Sequence, residues 1–305
     1  MDNFLFFLTS GLCIGAVYAL IALGYTLVYG IIKLINFAHG EFFMAGAYAG
    51  FGIYLVLPSG TSAIIAVPVI VLSSGIAGMI IAVLTEHVAY RPIRRSGRLA
   101  ALLTAIGVSF LLQNLASFIN KANPLQYSSD KAGSIGEICQ RSISVGGGGI
   151  KIIQFIYIPV TLILTFILWY IVMKTSFGRA MRAVSQDPDA AALMGIDINS
   201  VIRKTFLLGG LMAGIAGALI GFQSVIEPMM GFMPGLKAFI AAVVGGIGSI
   251  PGAVLGGFII GVVENMVLFC NIPSGYKDVA AFVVLILVLL VRPQGILGRN
   301  AREKV

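Results

Sequence analysis

Charged residues are scarce in this chain. Asp, Glu, Lys and Arg make up 10% of its 305 residues, whereas a soluble domain carries about 25%. Hydrophobic residues make up 58%, and the mean hydropathy is +1.00. This composition excludes an ordinary soluble domain and predicts a membrane protein.

Residues that carry covalent chemistry or bind metals are also few. Cys13, Cys139 and Cys270 are too scattered for a disulfide framework or a metal site, and we expect Cys13 and Cys270 to be small core residues. The two histidines, His39 and His87, form no visible Ser/His/Asp or Cys/His set. No G-x-x-x-x-G-K-[ST] motif occurs, so the chain has no P-loop to bind ATP. We therefore expect neither an enzyme nor a resident metal or cofactor.

Long apolar runs fill most of the sequence. Several approach or exceed the ~20 residues that cross a bilayer as a helix, and they lack the alternating short strands of a membrane β-barrel. Glycine is abundant, with 38 residues, and many are spaced as G-x-x-x-G, which lets helix backbones approach closely in lipid. We predict an all-α, polytopic integral membrane helix bundle that forms a single domain over residues 1–305.

The predicted bundle has eight or nine membrane segments. The apolar runs are Leu5–Tyr29, Phe42–Leu57, Ser62–Leu84, Leu99–Ile119, Ile152–Met173, Phe206–Ile226, Ala238–Ile247, Ala253–Phe269 and Val279–Val291. Ala238–Ile247 is too short to span a bilayer alone, so it either crosses with its flanks or is re-entrant. The N-terminus lacks the basic residues of a signal peptide, and we expect the first run to be an uncleaved membrane helix.

Basic residues orient these segments, because cytoplasmic loops carry an excess of Lys and Arg. Such residues cluster at 91–98, between Lys174 and Lys204, and in the tail after Val291. We place all three clusters, and so the C-terminus, in the cytoplasm. The Gly-rich loop at 120–151 is then outside. The N-terminus also lies outside if nine segments cross, and one terminus changes side if eight do.

A polar cluster interrupts the first apolar region. Asn36, His39 and Glu41 come within six residues, around Gly40. An acid at the membrane centre costs about 2.5–3.5 kcal/mol, so two interpretations are open. Residues 35–41 form either a cytoplasmic turn with solvated side chains or a broken helix that lines a pathway. Gly40 suits a break because glycine relieves backbone restrictions.

A second interruption favours the broken helix. Glycines and Pro251 break the apolar run at 243–261, near residues 245–252. Interrupted segments in corresponding halves are typical of a transport site, although residue identity alone establishes no repeat here. A half-helix N-terminus at such a break would favour an anionic group, such as a substrate carboxylate. The predicted substrate pathway contains Asn36, His39, Gly40, Glu41, Gly245, Gly246 and Gly248.

Three further charged residues have open roles. Glu264, late in the run Ala253–Phe269, is either another pathway residue or an interfacial residue near a helix end. Glu227 and Lys237 flank a predicted external loop, where solvated charges are expected.

The linker at 176–204 is the longest polar stretch predicted to face the cytoplasm. Asp187 as N-cap, Pro188 at the first position and Gly195 as the stop predict a short helix. Its apolar inner face is predicted to contain Ala191, Leu193 and Met194. A helix this short is marginal alone in water, so it packs either on its own bundle or into a cytosolic partner.

These motifs resemble a known family. G178-RAMRA183 followed by D187-PDAAALMG195 is similar to the coupling loop of bacterial ABC importer permeases. More narrowly, nearly the full chain resembles branched-chain amino-acid permeases of the LivH type, although His87 stands where Arg is expected. The other motifs that carry the resemblance are Y18-ALIALGYTLVYGIIKLINFAHGE41, E86-HVAYRPIRRSGRL99, K237-AFIAAVVGGIGSIPGAVLGG257 and P293-QGILGR299.

The resemblance implies one subunit of a larger importer in the bacterial inner membrane. Such permeases pair with a second, related permease, which implies a heterodimer. They also pair with two cytoplasmic ATPase subunits, which would bind ATP and Mg²⁺, and with a periplasmic amino-acid-binding protein. The linker would transmit closure of the ATPases. The implied coupling residues are Gly178, Arg179, Arg182, Asp187, Ala191 and Gly195.

The expected function is alternating-access import of leucine, isoleucine and valine, and three alternatives stay open. The same permease family serves urea and short-chain amides. An ion- or proton-coupled secondary transporter could use Glu41 and His39 as a relay, although it would have no docking role for the linker helix. A passive channel is the third alternative.

Overall fold

Helices form nearly all of the regular structure. The computed structural model describes residues 2–33, 36–58, 60–94, 96–121, 123–127, 134–145 and 147–298. The helices are α1 (Asp2–Ile32), α2 (His39–Val56), α3 (Ala63–Thr85), α4 (Arg91–Ile93), α5 (Arg98–Asn120), α6 (Ser134–Gln140), α7 (Tyr157–Lys174), α8 (Ser176–Gln186), α9 (Pro188–Leu193), α10 (Ile198–Gly221), α11 (Phe232–Gly245), α12 (Ile250–Phe269) and α13 (Lys277–Val291). A π-helical turn, Glu86–Tyr90, joins α3 to α4, and 3₁₀ turns at Ile152–Ile156 and Ser274–Tyr276 precede α7 and α13.

Membrane-length helices dominate the bundle. Within the described residues, seven helical segments are long and apolar enough to cross a membrane. They are Asn3–Ile32, Ala63–Ile93, Leu99–Asn120, Ile152–Lys174, Ile198–Gly221, Ile250–Phe269 and Ser274–Val291. The other two predicted segments are the shorter helices α2, with 18 residues, and α11, with 14. The prediction of a polytopic helical membrane protein is confirmed.

The two described ends of the chain lie at opposite faces of the bundle. The start of α1 lies beside an antiparallel hairpin, β1 (Ser142–Val145) and β2 (Gly148–Lys151), where Phe6 fills the space above Gly148. After α13, the backbone N–H groups of Ile296 and Leu297 donate to the last turn of α11. The helices α8 and α9 and the C-terminal end of α1 also lie at this second face. It is called the linker face below. Opposite ends are expected if all nine predicted segments run from face to face.

Small residues bring the central helices into backbone contact. A Cβ added at Gly214 of α10 would lie 3.1 Å from the Cα of Gly75 in α3 and would overlap with the Ser74 carbonyl group. One added at Gly257 of α12 would overlap with the backbone of Ala19 in α1. Because lipid provides no hydrophobic force between helices, this close packing is what holds α10 to α3 and α12 to α1.

Several predicted boundaries and environments are wrong. The helix that contains most of the predicted segment Phe206–Ile226 begins earlier, at Ile198, and ends earlier, at Gly221. Lys237 lies within α11 rather than beside an external loop. The Gly-rich loop at 120–151 contains α6 and a hairpin, which composition alone does not reveal. Arg95, Arg299, Arg302 and Lys304 of the predicted basic clusters, and Ile35, lie outside the described residues.

The cysteines form no disulfide. Cys13 and Cys139 are buried, whereas Cys270 is exposed at the end of α12, so the core position expected for Cys270 is wrong. Burial raises the pKa of the Cys139 thiol to about 11, and this thiol on α6 is therefore protonated at neutral pH. Within the described residues, no three His, Cys, Asp or Glu side chains come together as a metal site would require.

Replacing Gly214 with leucine tests the backbone contact at the centre of the bundle. The added side chain would force α10 away from α3, and overpacking a tight core costs about 1–3 kcal/mol or more. We expect a lower thermal midpoint for detergent-solubilised protein, measured by size-exclusion chromatography after heating. Gly52→Leu on α2 is the matched control, because a Cβ at Gly52 meets no heavy atom within 4 Å. An equal loss in both variants would contradict the packing argument.

Candidate functional site: a cavity where two helices begin

The turn before α2 is built by Asn36. The Asn36 Oδ1 atom accepts a hydrogen bond of 3.0 Å from the Ala38 N–H and one of 2.6 Å from the Tyr90 hydroxyl. Asn36 is 3% exposed. It therefore stabilises the turn from within the protein and ties the turn to the π-helical segment after α3. The alternative of a solvated turn is wrong for this residue.

The α2 helix begins inside the bundle. The buried His39 side chain lies against Gly24 of α1, eight residues before α1 ends, which is about 12 Å along a helix axis. Its ring lies 4.6 Å from the Tyr25 ring and 5.4 Å from the Phe42 ring, measured between centroids. His39 thus fills the space between α1 and α10 and is not one of the residues that line the cavity described below.

A second helix begins at the same place. Gly231 precedes α11, and its carbonyl oxygen is so near Gly40 that a Cβ at Gly40 would overlap with it. The converse also holds, because a Cβ at Gly231 would overlap with the Gly40 carbonyl oxygen. The positive ends of the α2 and α11 dipoles therefore meet. The half-helix N-terminus expected from the sequence is present, but its partner is α11, which begins after Gly231 rather than near Gly245.

A cavity of about 380 Å³ lies beside this contact. Its volume falls within the range of about 300–1,000 Å³ that is typical of ligand pockets. The residues that line it are Tyr25, Phe37, Gly40, Ile106, Ser109, Phe110, Gln113, Met229, Gly231, Phe232, Gly235, Leu236 and Phe239. Most of this wall is apolar, and its rim is open, since Phe110, Met229 and Phe232 are exposed.

Glu41 lies immediately behind the cavity wall. The Ser109 hydroxyl and the Gln113 side-chain amide on α5 each donate to Glu41 Oε1 at 2.8 Å. Glu41 is 1% exposed, and no donor contacts its Oε2 atom within the part of the chain that the structure describes. A Cβ at Gly231, which lines the cavity, would be 3.3 Å from this oxygen. The first turn of α2 is a favourable place for a carboxylate because of the helix dipole.

The predicted glycines at 245–248 lie elsewhere. They form the tight turn between α11 and α12 at the linker face, where Gly246 has a φ of 107°, which favours glycine. Gly245 lies in contact with Gly252 across this turn. Gly248 lines a separate cavity of about 340 Å³, together with Thr26 and residues of α7 and α8. The structure thus brings Gly40 and Glu41 together at one cavity but not Gly245, Gly246 or Gly248.

A buried ion-pair cluster joins four helices, and sequence reasoning missed it. Lys237 Nζ lies 2.9 Å from Glu264 Oε1 and 2.7 Å from Asp278 Oδ1. The Tyr18 hydroxyl donates to Glu264 Oε2 at 3.0 Å. Glu264 is 3% exposed, and the cluster lies near the end of α12 and the first turn of α13. Charged residues within membrane segments usually pair with one another. On that ground, the sequence could have predicted an ion pair between Lys237 and Glu264.

The linker folds into two short helices at the linker face. Asp187 Oδ1 accepts from the N–H groups of Asp189 and Ala190 at 3.0 Å each, and Gly195 has a φ of 82°. The predicted cap and stop of α9 are therefore present. Ser185 on α8 donates to the Gly30 carbonyl oxygen and so attaches the linker to the end of α1.

The predicted coupling residues have different environments. Gly178 lies against the end of α7, where a Cβ would overlap with the Val172 carbonyl group. Arg179 and Arg182 are both exposed, and Arg182 donates to the same carbonyl oxygen. Ala191 is buried at 4% exposure, but Leu193 and Met194 are 90% and 83% exposed. The prediction that all three apolar residues share an inner face is wrong, because only Ala191 packs inward.

Arg94 joins the linker to the turn that holds α2. Its Nη1 donates to Asn199 Oδ1 at 2.8 Å, at the start of α10, and its Nη2 donates to Glu86. Glu86 begins the π-helical turn, and Tyr90 at its end bonds to Asn36. The π-helical turn is therefore bonded at one end, through Arg94, to the start of α10 and at its other end to the turn before α2.

This architecture defines a class of protein. Helices that begin inside a membrane bundle beside a cavity are typical of transport proteins, because irregular backbone at membrane depth is tolerated where it borders protein or a cavity. Residues 7–289 match the family described as branched-chain amino acid transport system / permease component. The chain belongs to that family, which confirms the resemblance seen in the sequence.

Named relatives match over nearly their whole length. The chain is 44% identical to the high-affinity branched-chain amino acid transport system permease protein LivH of Escherichia coli, covering 100% of this chain and 99% of that protein. It is also 44% identical to the corresponding permease protein BraD of Pseudomonas aeruginosa, covering 98% and 97%. The probable branched-chain amino acid transport permease protein LivH of Methanocaldococcus jannaschii is 29% identical, covering 92% and 88%.

Removing Lys237 tests the buried cluster. Lys237→Met would leave the Glu264 carboxylate buried without its cation, and breaking a buried pair from one side costs about 3–5 kcal/mol. We expect a lower thermal midpoint in detergent, and the double variant Lys237→Met/Glu264→Gln should recover part of it. Asp278→Asn serves as the control, because the Asp278 side chain is 41% exposed and its loss should cost little. A neutral effect of Lys237→Met alone would contradict the pairing.

Proposed function

We propose that this chain is the permease subunit of an ATP-binding-cassette importer that carries leucine, isoleucine and valine across the bacterial inner membrane. The observation that carries the proposal is the 44% identity, over nearly the full length, to two permeases named for branched-chain amino acids. The apolar cavity beside α2 agrees with a small aliphatic substrate. Transport would occur by alternating access, without covalent chemistry on this chain.

The proposed machine contains further subunits. A second, related permease would complete the pathway as a heterodimer, and the exposed Phe110, Met229 and Phe232 at the cavity rim suit contact with another protein surface. Two cytoplasmic ATPases would bind ATP and Mg²⁺, since this sequence contains no P-loop motif. A periplasmic amino-acid-binding protein would deliver the substrate to the opposite face.

The linker face is the proposed cytoplasmic side, so the C-terminus would be cytoplasmic. It carries Arg94, α8 and α9, and the basic residues of the linker agree with the excess of Lys and Arg in cytoplasmic loops. Leu193 and Met194, which are exposed next to the end of α9, are the proposed docking residues for an ATPase. Ala191, Gly178 and Arg182 would act in coupling by fixing α8 and α9 on the bundle.

The pathway is proposed to pass the contact between Gly40 and Gly231. Movement of the linker would reach this contact through Asn199, Arg94 and Glu86, and then through Tyr90 to Asn36.

The turn at Gly245–Gly248 would act at the cytoplasmic end of α11. The relatives named for branched-chain amino acids favour neither alternative, a same-family permease for urea or short-chain amides or an ion-coupled transporter.

Radiolabelled leucine uptake tests the proposed function. Cells without their own branched-chain importers would receive this permease together with its neighbouring genes. We expect uptake from the unmodified protein and loss of uptake in Leu193→Arg, because a charge would disrupt an apolar docking surface. Leu193→Met is the matched control and should transport normally. Absence of leucine uptake from the unmodified protein would redirect the proposal to urea and amides, and unaffected Leu193→Arg would contradict the docking site.

Arg94→Ala tests the contact between the linker and α2. We expect lower leucine uptake while ATP hydrolysis by the purified complex continues, because the linker would lose its polar link to Glu86. Arg91→Ala is the control, since Arg91 is exposed in the short helix α4, which ends just before Arg94. Parallel decreases in ATP hydrolysis and uptake would point to failed assembly and contradict a role in coupling.

A further inference from the structure

Glu41 is buried with only half of its hydrogen-bonding capacity used. Both of its donors, Ser109 and Gln113, bond to Oε1, and Oε2 has no partner within the described residues. A buried acceptor without a partner costs about 1–3 kcal/mol, and more if the group is charged. Such a group in a native fold requires an explanation.

The free oxygen lies next to the cavity. Gly40 and Gly231, which flank Glu41, both line the cavity, as do Ser109 and Gln113. Gly40 and Gly231 place no side chain beside the carboxylate; their backbones contact each other there, and a Cβ at Gly231 would lie 3.3 Å from Oε2. Among the residues that the structure describes, no Lys or Arg side chain lines the cavity, so none of them supplies a cation for Oε2 there.

The rest of the cavity has a complementary chemistry. Phe37, Ile106, Leu236 and Phe239 form apolar walls, which suit a branched aliphatic group and exclude water from the carboxylate. A ligand that fits both parts carries a primary ammonium group joined to a short branched hydrocarbon. An amino acid with an aliphatic side chain has this composition.

We infer that Glu41 Oε2 receives the ammonium group of the transported amino acid while the apolar walls hold its side chain. The inference rests on the proposed function and adds to it a recognition residue and a rule of selectivity. A ligand should need the ammonium group for binding at this site. The two helix N-termini that meet at Gly40 and Gly231 provide a positive potential that suits the substrate carboxylate.

The structural alternative is that Glu41 serves only to attach α5 to α2. Glu41→Gln separates attachment of α5 from binding of the ammonium group. Glutamine keeps one oxygen that accepts from Ser109 and Gln113, but it has an NH2 group in place of the free carboxylate oxygen. We expect leucine uptake to fall by about tenfold or more, as for loss of a charge-assisted hydrogen bond, with unchanged expression and thermal midpoint. Asn114→Ala, at an exposed position of α5 that does not line the cavity, should retain uptake within about twofold.

Cysteine protection tests the selectivity rule on the full transporter. Leu236→Cys would place a thiol in the cavity wall, in a background with the exposed Cys270 changed to serine. Leucine and 3-methylbutylamine should slow maleimide labelling, whereas 4-methylpentanoate, which lacks the ammonium group, should not. With Glu41→Gln added, none of the three should protect.

The outcomes separate the inference from the proposed function. No leucine uptake by the unmodified transporter would overturn the proposed function itself. Normal uptake in Glu41→Gln, beside normal uptake in the unmodified protein, would overturn only the ammonium site and leave Glu41 as an anchor for α5. Equal protection by 4-methylpentanoate and 3-methylbutylamine would also overturn it.

Discussion

The backbone contact between Gly40 and Gly231 is the constraint on which the site depends. Each glycine occupies space that a Cβ of the other would need, so α2 and α11 can begin side by side only with glycine at both positions. Two helix starts inside a membrane bundle leave first-turn N–H groups without intrahelical partners. Such ends are tolerated because they border protein and a cavity rather than lipid. The cavity therefore follows from the same contact that permits the two breaks.

Close packing elsewhere fixes where this contact lies. Backbone contacts of α10 with α3, and of α12 with α1, hold the central helices in one register. His39 fills the room that Gly24 and Gly209 leave between α1 and α10 and so sets the depth of the α2 start. By contrast, α5 presents many exposed apolar residues and reaches the core through Ser109 and Gln113. Ala101 and Ala105 of α5 are also buried, so the bonds to Glu41 are one of its attachments to the bundle.

Local features of the fold could be read from the sequence, and long-range pairings could not. Apolar run length predicted the membrane helices, and the cap at Asp187 and the stop at Gly195 were recognised because such signals are local. The break at 36–41 was found because polar residues interrupt an apolar run. The partner of that break was assigned to Gly245–Gly248, since those glycines stand out, whereas the structure pairs Gly40 with Gly231. Nothing local links Glu41 to Ser109 and Gln113, 68 and 72 residues away.

Two buried glutamates of this bundle, Glu264 and Glu41, differ in the polar partners of their carboxylate oxygens. Glu264 has a contact at each oxygen, with Lys237 at one and the Tyr18 hydroxyl at the other. Glu41 is equally buried, yet both donors converge on one oxygen and the described residues provide no cation for the other. Since a buried charge is costly unless it is paired, the fold neutralises Glu264 internally and leaves Glu41 to be paired from the cavity. The contrast follows from position, because Glu264 joins helices in the packed interior, whereas Glu41 lies behind two glycines at the wall of an open cavity.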